Sequence, residues 1–135
     1  MFDSPSLSAN QLLMALPPEE YERLVPYLEP VSLALGQVIY EPKQLIKEVY
    51  FPLEAMISLV SIMKDGSTTE IGLVGGEGMV GLPVFLGGNS ATNRAIVQVE
   101  GNGLKMDAAI LKSEFERGKQ LQAKLLLYTQ ARLNQ

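Results

Sequence analysis

Cysteine, histidine and tryptophan are all absent from this 135-residue chain. Without cysteine there is no disulfide, no thiolate nucleophile and no cysteine-held iron–sulfur cluster, and the composition fits a reducing, cytoplasmic compartment. Without histidine the chain lacks the commonest general base near neutral pH and the usual ligand of zinc and haem iron. No catalytic residue, metal site or cofactor is therefore expected. Positive charge is scarce as well: 11 Lys and Arg against 15 Asp and Glu leave a net charge of −4, too acidic for this segment alone to grip a phosphate backbone. Apolar runs are short. None approaches the roughly 18 residues that cross a bilayer, and Met1–Asn10 has neither the basic start nor the apolar centre of a signal peptide, so no membrane partner is expected.

What is present is enough apolar residue for one core, 47% of the chain, in a length that makes a single domain. Asn10 is placed to cap a short helix over 11–15. Pro17-Pro18 then opens a second helix whose first turn carries Glu19 and Glu20 and whose apolar face is Tyr21, Leu24, Val25 and Leu28, with Pro26 ending or kinking it. From Val31 the apolar period becomes two, which predicts strands over 31–35, 37–40, 48–51, 55–63 and 68–74, the last two joined by an Asp65-Gly66 hairpin. Many short strands in a chain of this size predict a sandwich or barrel.

The most distinctive stretch follows. A glycine-rich turn, Gly75-Gly76-Glu77-Gly78, leads through Gly81 to a Pro83-led helical turn closed by Gly87-Gly88, then to a loop over 89–93 and a strand in which Ala95, Val97 and Val99 share one face. Glu77 is either a ligand contact or an exposed turn carboxylate, the commoner case, and the glycines either approach a phosphate or mark barrel corners. Gly101-Asn102-Gly103 predicts another tight turn, followed by a strand over 104–107 and a helix over 108–117. The isolated methionines read as core filler. The last segment, 119–135, has no Pro or Gly and predicts one long helix. Leu121, Leu125, Tyr128 and Arg132 form a heptad-like stripe along it. The apolar run Leu125-Leu126-Leu127 widens that surface, so the stripe is expected to pair with a second copy rather than fold back on its own barrel.

The order of elements, the Gly36 and Asp65-Gly66 turns and the turn–helix–strand unit together resemble the sensor half of Crp/Fnr-type bacterial transcription regulators, over about Asn10 to Gln135. The wording Val49-Tyr50-Phe51-Pro52 and Val74-Gly75-Gly76-Glu77-Gly78-Met79-Val80-Gly81 resembles a branch whose ligand is generally unassigned. The resemblance implies a mainly β fold with flanking helices: short N-terminal helices, an eight-stranded double-stranded β-helix or jelly-roll barrel, and a long C-terminal dimerisation helix. The chain then divides into a tail over 1–9, a cyclic-nucleotide-binding-like domain over 10–118 and the dimerisation helix over 119–135. The DNA-binding helix-turn-helix domain of such regulators is absent from this chain, and DNA is contacted only through it.

By the same resemblance the ligand-binding positions are Gly81, Leu82 and Pro83 at the helical turn and Asn93, Arg94 and Ala95 at the strand. Nucleotide-binding members have Gly-Glu-Leu and Arg-Ser/Thr-Ala there, the Glu taking the ribose hydroxyl and the Arg the cyclic phosphate. Leu82 cannot accept a hydrogen bond, and the arginine has moved one residue along, which on a strand turns its side chain to the opposite face. Tight cyclic-nucleotide binding is therefore not expected. The functional expectation is a homodimeric sensor for an unknown small-molecule effector. The alternatives are a ligand-independent dimerisation module with a degenerate pocket and, remotely, a jelly-roll enzyme of the cupin kind, which generally needs histidine for its metal.

Overall fold

The computed structural model describes residues 10–88 and 90–133. The expected tail over 1–9, Asn89 of the expected loop and the last two residues of the expected C-terminal helix lie outside the described residues. Two helices come first, α1 (Gln11–Met14) and α2 (Pro18–Leu24), the second running into a 3-10 turn over Val25–Tyr27 around Pro26. Seven strands follow: β1 (Glu29–Leu33), β2 (Val38–Tyr40), β3 (Glu48–Pro52), β4 (Met56–Ile62), β5 (Thr68–Val74), β6 (Arg94–Val99) and β7 (Gly101–Asp107). A 3-10 helix, Leu82–Phe85, sits between β5 and β6, and the chain ends in α3 (Ala108–Glu116) and α4 (Gln120–Leu133).

The strands form two antiparallel sheets, β1-β7-β3 and β2-β6-β4-β5, which enclose one apolar core as a jelly roll. Val49, Phe51, Ala55, Ile57 and Ala95 have no exposed surface. Seven strands stand among the described residues where the resemblance implies eight. Val80 makes only a single bridge, to Tyr50, before Gly81 and Pro83 turn the chain away.

Asn10 caps α1 as expected, its side chain accepting from Leu13 N–H, and its amide also donates to Pro52 O at 2.9 Å and Gly78 O at 3.0 Å. One fully buried asparagine thus fastens the N-terminal helix to β3 and to the glycine-rich turn. The Asp65-Gly66 hairpin is present: Gly66 has φ +88, and the Asp65 carboxylate accepts from Ser67 N–H at 3.0 Å and from its hydroxyl at 2.6 Å.

The Gly101-Asn102-Gly103 turn is not there. Those residues already belong to β7, and the chain passes at Glu100 from one sheet to the other. Gly101 is required by proximity instead, since a Cβ on it would lie 2.6 Å from Ala55 N. The same crossing corrects the expected face of β6. Ala95 and Val97 are buried, but a bulge between Met56 and Ile57 shifts the register and leaves Val99 45% exposed.

The helices are tied to each other by side chains far apart in sequence. Glu20 of α2 does not only face its own helix dipole; its carboxylate accepts from Gln120 and Leu121 N–H at 3.1 and 2.8 Å and so caps α4. Arg23 of α2 pairs with Glu114 of α3 at 2.9 Å, which holds that carboxyl below the usual range. Asp107 caps α3 through Ala109 and Ile110 N–H.

Candidate functional site

β5 delivers the chain to the glycine-rich turn. There the Glu77 carboxylate accepts from Gly75 N–H at 3.1 and 3.2 Å, so the exposed acid braces its own turn rather than reaching for a ligand. Gly81 is buried at φ +121, a conformation that favours glycine, and a Cβ on it would come 2.7 Å from Val49 Cγ1. These glycines serve close packing. The Leu82–Phe85 turn that follows is a 3-10 helix whose Val84 and Phe85 are buried, with Leu82 and Pro83 half-buried. Phe85 stacks on Phe115 of α3 with ring centroids 4.6 Å apart, so the turn is coupled to the helix layer.

The segment after the turn is held by the chain between β2 and β3. Lys43 N–H donates to Ala91 O at 2.7 Å, Ala91 N–H donates to Gln44 O at 2.9 Å, and Leu45 bridges Ser90. Lys43 takes φ +70 to make this clamp. Arg94 begins β6 on the face opposite the buried Ala95, as the strand alternation requires, and its Nε donates to Glu41 Oε1 at 2.8 Å. Asn93 is half-buried and gives its amide to Thr92 Oγ1 at 3.2 Å. The six expected ligand-binding residues thus stand at the two ends of one turn–loop–strand unit, and no hydrogen bond joins the Gly81–Pro83 group to the Asn93–Ala95 group among the described residues. Sequence reasoning missed Glu41, because nothing local marks an acid 53 positions away as the partner of Arg94. Beside this clamp, Tyr40, Glu48 and Tyr50 line a cleft of about 200 Å³. Burial pushes the Tyr40 phenol up to about 12.

The stripe expected at the dimer interface lies on the C-terminal helix against the barrel. Leu121, Leu125, Tyr128 and Arg132 do form one stripe, but it lies on the chain's own barrel and not on a free face. Leu121 and Leu125 are core residues with 5% and 0% exposure. The Tyr128 hydroxyl is buried against Gly78, where any Cβ would overlap the phenol ring, and among the described residues it has no hydrogen-bond partner; burial is the main reason its pKa is raised. Arg132 lies over the Tyr128 ring at 5.8 Å and donates to Leu73 O at 3.2 Å. A Cβ at Gly72 would be 2.5 Å from its guanidinium. The physical reason is that β5 and the turn after it present two bare backbone patches, Gly72 and Gly78, into which long side chains fit. Leu126 and Leu127 of α4 point outward, 46% and 61% exposed.

Among the described residues no three His, Cys, Asp or Glu side chains are grouped as metal ligands would be, and no helix is long and apolar enough to cross a membrane. A family model described as a cyclic nucleotide-binding domain matches residues 30–117. No curated protein matches the chain. Solved structures share its fold. A putative cyclic nucleotide-binding protein from Geobacter metallireducens GS-15 is 18% identical with a TM-score of 0.77, over 98% of this chain and 96% of that one. The N-terminal domain of a transcriptional regulator from Streptomyces coelicolor A3(2) is 21% identical with a TM-score of 0.69, over 96% and 90%. The catabolite activator protein of Thermus thermophilus is 18% identical with a TM-score of 0.75; the match covers 92% of this chain but 58% of that protein.

Proposed function

The chain belongs to the cyclic nucleotide-binding domain family, and from that premise we propose that it is the effector-sensing and dimerisation domain of a cytoplasmic Crp/Fnr-type transcription regulator, which acts on DNA through a helix-turn-helix domain. The observation that carries the reading is the contact of α4 with the glycine-rich turn. Tyr128 and Arg132 rest on Gly78 and Gly72, and the same turn continues through Gly81 into the Leu82–Phe85 helix. An effector that moves this helix therefore moves the seat of α4. Such coupling is a population shift, and the effector must favour one arrangement over the other.

Cyclic nucleotide is not the proposed effector. Leu82 offers no acceptor to a ribose hydroxyl, and Arg94 faces outward and is already paired with Glu41. A buried polar group left without its partner costs about 1–3 kcal/mol. The homodimer of this reading forms through the outer side of α4, where Leu126 and Leu127 are exposed, rather than through the stripe that the barrel covers. A thermal melt against cyclic nucleotides and a panel of other small organic anions tests the proposal. A true effector at about 100 times its dissociation constant adds about 2.7 kcal/mol of stability, and cyclic nucleotides leave the melt unchanged. Stabilisation by cyclic AMP overturns the choice of ligand.

The burial of Val84 and of Phe85, which stacks on Phe115, favours a second reading, a ligand-independent dimerisation module whose pocket is filled by its own side chains. Sedimentation then finds a dimer while the whole panel leaves the melt unmoved.

A further inference from the structure

A second groove lies away from the turn–loop–strand unit's candidate residues. It has a volume of about 420 Å³, within the range of small-molecule sites, and three pieces of chain meet in it: the segment before β3, the Leu82–Phe85 helix and the start of α3. Its floor is apolar, made by Ile46, Val84 and Ala108, and Leu45 stands at its edge 49% exposed. Lys47 and Lys112 line its rim. Among the described residues neither lysine is in an ion pair. The one carboxylate present, that of Asp107, is engaged by the Ala109 and Ile110 N–H groups at 2.8 and 3.2 Å. In a chain of net charge −4, an apolar trough lined by two lysines and one carboxylate is net positive, a local reversal of sign.

We propose that this groove binds an amphipathic organic anion, an apolar body carrying a single anionic head. The floor takes the tail out of water, and the lysines meet the head as mobile point charges, so they select for charge more than for head-group shape. A neutral molecule with the same tail lacks the second contact, and a small anion with no tail lacks the first. The groove shares Val84 with the Leu82–Phe85 helix but none of Gly81, Leu82, Pro83, Asn93, Arg94 and Ala95, so it stands or falls separately from the proposed effector site.

Amide chemical-shift titration of the chain with octanoate, octanol and acetate tests it. Octanoate saturates and moves the amides of Leu45, Val84, Ala108 and Ala109. Octanol binds at least about tenfold more weakly, the size of one charge-assisted contact, and acetate moves nothing there. The double variant Lys47→Gln/Lys112→Gln reduces octanoate affinity to that of octanol while octanol binding stays the same; Lys64→Gln, on the distant hairpin, changes neither. Equal affinity for octanoate and octanol, shifts centred elsewhere, or octanoate binding that survives the double variant each overturn the proposal. Because both lysines are exposed, loss of the fold does not confuse the result.

Discussion

The glycines before the Leu82–Phe85 helix and those after it lie in different surroundings. A Cβ on Gly78 would overlap the Tyr128 ring and one on Gly81 would press on Val49, whereas Gly88 has open space around it. Before the helix, glycine lets α4 sit directly on backbone, and packing is close. After it, residues 86–88 and Ser90 are exposed, and Ala91, itself buried, is joined to Lys43 and Gln44 by backbone hydrogen bonds. The same residue type thus marks a closely packed seat on one side of the candidate site and, at Gly87 and Gly88, the open start of a strap on the other.

The widest break in that contrast is Leu125→Ala, which empties a fully buried position on the seated face of α4 and costs about 3–5 kcal/mol in urea denaturation. Leu127→Ala, two residues on but 61% exposed, changes monomer stability by less than about 0.5 kcal/mol. Equal losses from both would mean that α4 is not seated as described. Gly78→Ala follows at about 3 kcal/mol, because the new methyl must lift Tyr128, while Gly88→Ala is nearly neutral. Adding Tyr128→Ala to Gly78→Ala restores part of the loss, a non-additivity that two unconnected sites would not show.

On the strap side the buried Tyr40 phenol provides a pH test. Its folded pKa of about 12 lies above the ordinary value of 10.0, so the folded state holds the proton more tightly. The associated stability, about 2–3 kcal/mol, is complete below pH 10 and is lost as pH rises through 12. Tyr40→Phe removes that part of the alkaline fall, and an unchanged alkaline limb would show the phenol is not buried in solution. The smallest effect belongs to Glu41→Gln. The Arg94–Glu41 pair is largely solvated, so a melt registers a change within about 0.5 kcal/mol; a larger loss would show the strap to be held by this pair rather than by its backbone bonds.

Much of the architecture was legible in the residues themselves. Asn10 ahead of an apolar run announced a cap, Asp65-Gly66 a hairpin, and Pro83 after Gly81 a short helical turn, each because the side chain or the missing side chain acts within a few bonds. Asp107 ahead of Ala108 carries the same capping signal. The failures share a different cause. Gly101-Asn102-Gly103 has the composition of a tight turn, yet it begins a strand because Gly101 must pass beside Ala55 of another segment. Val99 follows the alternation of Ala95 and Val97, yet the register shift between Val97 and Val99 turns it out. The Leu121–Arg132 stripe has the spacing of a helix pair, and spacing cannot say whether the surface it meets is a second helix or the bare backbone of Gly72 and Gly78.

From the order of residues alone followed a sandwich or barrel of short strands and the absence of histidine and cysteine chemistry, because these depend on what each position is and on local periodicity; the missing acid at Leu82 and the displaced Arg94 are what the family resemblance implies. Which face of α4 is covered, that Arg94 is spent on Glu41, and that Lys47 and Lys112 flank one apolar trough were decided only in three dimensions. Those outcomes rest on contacts between segments many residues apart, and the geometry that joins them exists only once both sheets have closed around the core.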